Sequence, residues 1–149
     1  MEVFGTAHHI LQGKPGPVWT IGPEAPVFDA VRLMGEHNVG ALVVVEGGAV
    51  VGVVSERDYS RKIALLGRSS RETRVCEILS EPVITVARDA AIGECMRLMT
   101  EHRVRHLPVV EDGCLLGIVS IGDLVNWIIR TQSDTISRLE GYITGRYPA

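Results

Sequence analysis

The sequence predicts an α/β (α+β) protein assembled from two β-α-β-β-α copies, and three observations carry that prediction. The first is an internal repeat. A shift of 65 residues lays positions 18–63 on 83–128 without a gap, and 19 of those 46 pairs are identical. Self-similarity on this scale marks a supersecondary unit that has been doubled. The second is a change of period within each copy, from apolar residues at helical spacing to two β-branched runs. The third is the pair of turns Gly47-Gly48 and Asp112-Gly113, residue types that adopt the positive φ a two-residue hairpin needs.

Each copy begins with a short β-type stretch, 18–21 and 83–86. A helix follows, with Val27, Ala30, Val31 and Met34 on one face in the first copy and Ile92, Cys95, Met96 and Met99 in the second. Pro26 suits its first turn, where the missing N–H would be unpaired anyway. Runs 41–45 and 50–54, and again 107–110 and 115–119, read as hairpins. A second helix follows each hairpin, near 56–66 and 121–131. Both faces of the strands are apolar, which predicts sheets buried on both sides, with the two copies packed together on one shared core. The small, polar, basic stretch 67–74 reads as the linker. The expected division is therefore a first repeat at 14–66, a linker at 67–78, a second repeat at 79–131, and a C-terminal helix and tail at 132–149. In that tail Ser133 or Asp134 can cap a short helix carrying Ile136, Leu139 and Ile143 on one stripe. Its own chain or a partner would have to cover that stripe.

Composition excludes several functions. The chain has 149 residues, 46% hydrophobic and 22% charged, with a formal net charge of −3. That charge leaves no broad basic face for a nucleic-acid backbone; the arginines at 68, 71 and 74 are the one local exception. The longest unbroken apolar run, 41–45, is far short of the ~20 residues that cross a bilayer. The N-terminus lacks the basic start and apolar block of a signal peptide. Cys76, Cys95 and Cys114 show no C-x-x-C spacing, so a reducing cytoplasm is the expected setting.

The repeated Gly-x-x-Ser-x-x-Asp element, with Ser55 and Asp58 and again Ser120 and Asp123, ends a strand and opens a helix. Two readings fit it. Ser followed three residues later by an acid is close to a capping box. Alternatively, free N–H groups at the helix start favour a phosphate, and a carboxylate one turn in can accept both hydroxyls of a ribose. Arg105-His106 stands at a strand entrance where the first copy has Gly40-Ala41. Two cations there can hold a phosphate, Arg in bidentate fashion, or simply form a surface ion pair. His37 and His102 are repeat-equivalent helix-end residues without companions at metal-ligand spacing, and His8-His9 reads as a polar terminus. Neither a complete phosphate loop nor a Gly-x-Gly-x-x-Gly is present. No nucleophile has a partner that spacing would nominate. An enzyme is not expected.

The doubled copy, Gly-Val-Val-Ser-Glu-Arg-Asp at 52–58, Gly-Ile-Val-Ser-Ile-Gly-Asp at 117–123 and Arg-His-Leu-Pro-Val-Val at 105–110 resemble the cystathionine β-synthase (CBS) domain family. The match is to its tandem pair, the Bateman module, over about 14–130. The chain also looks like stand-alone bacterial CBS-pair proteins, which end in a short helix similar to 139–143. The resemblance implies two copies related by a pseudo-twofold axis, with clefts between them that bind adenine nucleotides. AMP comes first among these, with NAD(H) or ATP as alternatives. Carried over, one cleft combines Ser55 and Asp58 with Ser80, Pro82, Val83, Ile84, Val104, Arg105 and His106. The other combines Ser120 and Asp123 with Lys14, Gly16, Val18, Gly40 and Ala41. Asp58 and Asp123 would take the ribose, and main-chain groups around Ile84 and Val18 would frame the adenine.

The expected function is thus a regulatory adenine-nucleotide-binding module that senses energy or redox state without catalysis. It would work as a homodimer, with the first and second helices at the interface, and on an unidentified regulated protein. The Asp58 cleft, with its cationic clamp, is expected to bind phosphorylated ligands more tightly. The rival is a structural or partner-binding dimerisation module whose clefts stay empty and whose Ser-x-x-Asp elements only cap helices.

Overall fold

The computed structural model describes residues 3–14, 16–79 and 83–143. The chain opens with a short helix, α1 (Ala7–Gln12). Strand β1 (Thr20–Ile21), helix α2 (Val27–His37) and the hairpin β2 (Ala41–Glu46) and β3 (Ala49–Ser55) follow. Next comes α3 (Glu56–Tyr59), continuing as a π-helical turn (Ser60–Ala64), and then a 3-10 turn (Val75–Glu77). The second copy supplies α4 (Ile92–His102), β4 (His106–Glu111), β5 (Cys114–Ser120) and α5 (Ile121–Ile143).

The repeat is reproduced residue for residue in the sheets. β1 pairs in parallel with β2, setting Ile21 against Val44, and the equivalent Val86 forms a single parallel bridge to Val109. Both hairpins carry the same irregularity, between Val44 and Val45 and between Val109 and Val110. Gly47 and Gly48, like Asp112 and Gly113, all have positive φ, the backbone state of a type I′ turn. The first strands are shorter than the expected 18–21 and 83–86. The pairing of Thr20 and Ile21 is the whole of β1, with one more bond just before it, from the Val43 N–H to Trp19 O at 3.3 Å. Pro26 sits just ahead of α2 as its N-cap rather than inside the first turn.

Two separate cores replace the expected shared one. Ile21, Val27, Ala30, Met34, Leu42, Val44, Val54 and Ile63 pack in the first copy; Val86, Ile92, Cys95, Met99, Leu107, Val109, Val119 and Leu124 pack in the second. Val43 and Pro108, which alternate onto the opposite sheet faces, are also buried. There β3 meets β4 and β5. The sheets therefore join the copies back to back, while each copy covers its own inner face with helices.

The cover is exchanged crosswise. Val75 and Ile78, in the stretch between the copies, complete the first core, whereas Ala7 and Ile10 of α1 complete the second. The docking bonds match: Val75 N–H donates to Ala25 O at 2.8 Å and Ala7 N–H to Ala90 O at 2.9 Å. Leu79 closes over Gly52 and Leu11 over Gly117, where an added Cβ would meet the leucine methyls at 3.0 and 2.6 Å. The corresponding pattern, apolar-x-x-Ile-Leu at 7–11 and 75–79, is offset by 68 residues rather than 65. A gapless slide misses it.

At the C-terminus the expected short helix after Thr131 does not form a separate element. α5 runs unbroken through Ser133 and Asp134 to Ile143. No Pro interrupts the segment, and the Thr131 hydroxyl donates back to Trp127 O at 2.5 Å, a local bond that a continuing helix accommodates.

Candidate functional site

β3 runs directly into α3, which fixes the first Ser-x-x-Asp element. Ser55 is extended, with φ −125° and ψ 165°, and acts as the N-cap. The Asp58 N–H donates to Ser55 Oγ at 3.2 Å, while the Asp58 carboxylate accepts from the Ser55 N–H at 2.9 Å and from its hydroxyl at 3.0 Å. In the second copy the Asp123 N–H donates to Ser120 Oγ at 3.1 Å and the Ser120 N–H to the Asp123 carboxylate at 2.8 Å. The next N–H groups, of Glu56 and Ile121, donate to the carbonyls of Gly40 and Arg105. Both copies thus realise the capping box, and the N–H groups of residues 56 and 58, and of 121 and 123, are engaged by the chain. An anion here also meets charged side chains.

Those side chains surround a cavity of about 640 Å³ between the copies, within the size range of small-ligand sites. β3 and α3 form one wall. The lead-in to α4, the α4–β4 connection and the start of β4 form the other. Ser55, Asp58, Val83, Ile84, Val104, Arg105 and His106 all line it. Ser80 and Pro82, expected beside them, lie outside the described residues. Gly40, expected in the other cleft, lines this one. A Cβ at position 40 would already lie 3.7 Å from His106 Nε2, so a large side chain there would displace the imidazole.

Among the lining residues that escaped the sequence reading, four are basic: Arg57, Arg61, Lys62 and Arg103. The signal was available, because Arg57, Arg61 and Lys62 follow Ser55 at near-helical spacing, while the repeat-equivalent positions are Gly122, Asn126 and Trp127. The π turn belongs to this arm, with Leu65 N–H donating to Ser60 O five residues back. Lys62 reaches the Asp58 carboxylate at 3.1 Å and donates to Ile78 O at 2.8 Å. The guanidinium of Arg57 holds its proton less tightly than usual, chiefly because Arg61 is close, then through burial and Arg105, with Asp58 opposing.

Asp123 is held differently. Lys14, from the segment after α1, places its ammonium 2.8 Å from the Asp123 carboxylate and 2.8 Å from Ile118 O. Gly16 is exposed and Val18 half-buried in the lead-in to β1; Ala41 is buried in β2, opposite Ser55. Among the described residues, Lys14 is the member of that expected set bonded to Asp123.

His106 stands between the two carboxylates. Burial lowers its pKa below the ordinary imidazole value, aided by Lys14 and Arg105 and opposed by Asp123 and Asp58. Without ligand it is therefore neutral at neutral pH, and the two-cation clamp reduces to Arg105 and the arginines it joins. His37 stacks on Trp19 with ring centroids 3.4 Å apart, and no group of three His, Cys, Asp or Glu among the described residues is placed to hold a metal. The basic linker is spent internally: Arg68 pairs with Glu77, Arg74 with Glu24, and Arg71 lies 4.0 Å over the Phe28 ring. No helix among the described residues is long and apolar enough to cross a membrane.

The family model for the CBS domain matches residues 15–65 and 75–130. A mitochondrial CBS domain-containing protein of Arabidopsis thaliana, CBSX3, is 46% identical over 126 residues, 81% of this chain; the chain spans 61% of that relative's length. YhcV of Bacillus subtilis, also CBS domain-containing, is 36% identical, with 72% of this chain and 76% of the relative covered. A solved Burkholderia ambifaria structure with CBS domains superposes with a TM-score of 0.81 at 47% identity, covering 86% of this chain and 96% of that one. A hexameric CBS-CP12 protein from bloom-forming cyanobacteria gives 0.73 at 32% identity, covering 80% and 66%. With the repeat, the matched hairpins and these likenesses together, the chain belongs to the CBS domain family, as a tandem pair.

Proposed function

We propose that this chain is a regulatory adenine-nucleotide-binding module that senses energy or redox state through the cleft between its copies, without catalysis. CBS pairs are in general regulatory modules that bind adenosine ligands. The observation that carries the reading is the cavity of about 640 Å³ that brings Ser55 and Asp58 of one copy opposite Val83, Ile84 and Arg105 of the other. Asp58 accepts the ribose hydroxyls, main-chain groups at Ile84 frame the adenine, with Val104 beside it, and Arg105 holds phosphate. Ligand joining two copies shifts their relative orientation if it binds one arrangement better.

The Asp123 cleft is the weaker one for a phosphorylated ligand, because the positions equivalent to Arg57, Arg61, Arg103 and Arg105 are the neutral Gly122, Asn126, Asn38 and Gly40. Homodimerisation is supported by Ile121, Val125 and Ile129, which lie on one side of α5 at 40%, 46% and 57% exposure. A regulated protein partner belongs to the same reading. Three free cysteines, two of them exposed, fit a reducing cytoplasm.

A thermal-melt screen of AMP, ADP, ATP and NADH tests the proposal. A ligand at a hundred times its Kd adds about 2.7 kcal/mol of stability. Calorimetric titration should then show Asp58→Ala losing far more affinity than Asp123→Ala, and equal losses would refute the asymmetry. The two complete capping boxes favour one rival, a structural module with empty clefts. No melting shift with any nucleotide would establish it.

A further inference from the structure

The cavity carries more positive charge than a single phosphate group requires. Arg57, Arg61, Lys62, Arg103 and Arg105 line it, against the carboxylates of Glu56 and Asp58. Elsewhere Arg32, Arg68, Arg74, Arg88 and Arg97 each pair with an acid, Arg71 lies over the Phe28 ring, and Arg130 makes no salt bridge among the described residues. Among the described residues, no salt bridge reaches any of the four arginines in the cleft. Five cations against two carboxylates leave an excess of positive charge whose self-repulsion disfavours the compact chain, and an anionic ligand would relieve it.

The repeat supplies an internal comparison. The positions equivalent to these five cations are Gly122, Asn126, Trp127, Asn38 and Gly40, all neutral. Charge has been concentrated in one cleft of a duplicated pair, at positions the fold does not require to be basic. Guanidinium forks engage phosphate oxygens in bidentate fashion, and a terminal phosphate carries close to two charges. One Arg with one neighbour would serve such a group; four guanidiniums fit a longer chain.

The acids are few: Glu56 and Asp58, the latter meeting Ser55 and Lys62, are the carboxylates among the described lining residues. A divalent ion carried on the phosphates would neutralise the charge that the arginines recognise. Resting on the adenine-nucleotide reading above, we propose that the Asp58 cleft discriminates by phosphate charge. It takes a nucleoside triphosphate as the metal-free polyanion, in preference to the monophosphate and to the magnesium complex.

Titration calorimetry with AMP, ADP and ATP, each in EDTA and in excess magnesium chloride, decides it. The expected order is ATP tighter than ADP tighter than AMP. AMP to ATP should span at least about tenfold, the scale of one hydrogen bond to a charged group. Magnesium should weaken ATP and leave AMP unchanged. Arg57→Ala combined with Arg61→Ala should bring ATP close to AMP, while circular dichroism and melting show that the fold persists. AMP binding as tightly as ATP, or magnesium strengthening ATP, overturns the charge selection and leaves the adenine-nucleotide reading standing. Failure of all three nucleotides overturns the charge selection, and failure of NADH as well overturns both.

Discussion

Replacing Ile78 by alanine separates two descriptions of the stretch between the copies. As part of a linker at 67–78, residue 78 would be a surface position, where substitutions change stability by no more than about 0.5 kcal/mol. In the structure Ile78 is 1% exposed and belongs to the first core with Leu42, Val44, Val54 and Ile63. Truncating a buried isoleucine removes three methyl or methylene carbons and leaves a cavity that relaxes only in part, a cost of about 2–5 kcal/mol. For a chain of this size that lowers Tm by roughly 5–15 °C. Ile10→Ala, in the equivalent place of the second core at 7% exposure, should cost about the same, and Leu66→Ala, 67% exposed, should cost almost nothing. Urea unfolding followed by far-UV circular dichroism measures all three. Because Lys62 donates to Ile78 O and pairs with Asp58, loosening this segment should also weaken nucleotide binding in the Asp58 cleft. An Ile78→Ala protein as stable as Leu66→Ala would refute the crosswise exchange.

Three further outcomes follow from single contacts. His106 has a lowered pKa in the folded chain, so below about 6.5 the unfolded chain binds more protons. Stability should therefore fall as pH drops from that value toward the folded pKa. A phosphate placed beside the ring would raise its pKa and make binding tighter on acidification in the same window. Melting curves and titrations across pH 5–8 should show both effects in the wild type and neither in His106→Gln. Lys14→Ala removes a partly exposed pair, which should cost about 1 kcal/mol or less, and frees the Asp123 carboxylate; titration should show the second cleft gaining affinity for adenosine. Gly5→Ala places a Cβ 2.6 Å from the Trp127 ring at φ +113°. Combined backbone strain and overpacking should destabilise by at least about 2 kcal/mol, seen as a lowered Tm and altered Trp127 fluorescence.

The local physics was legible because it is written in contiguous residues. Val27, Ala30 and Met34 repeat every three or four positions, and Gly47-Gly48 admits the hairpin's positive φ. Ser55 and Asp58 form a capping box wherever a strand meets a helix at that spacing. Doubling made these signals stronger, since each could be checked against a partner 65 residues away. The same gapless comparison hid the exchanged helix segments, because three extra residues before β1 shift their register. It also drew attention to what the copies share, and so away from Arg57, Arg61, Lys62 and Arg103, which only one copy has.

By itself, then, the sequence determined the doubled β-α-β-β-α unit, the hairpin turns and the capped Ser-x-x-Asp elements, and it nominated part of the first cleft's wall. Each depends on residues a few positions apart or on pairs at the repeat spacing. Tertiary structure alone decided that there are two cores, and that α1 serves the second while Val75 and Ile78 serve the first. It also decided that Lys14 occupies Asp123 and that burial keeps His106 neutral. These outcomes depend on which surfaces meet across more than sixty residues of chain, and on how far that meeting removes a charge from water. No local pattern records either.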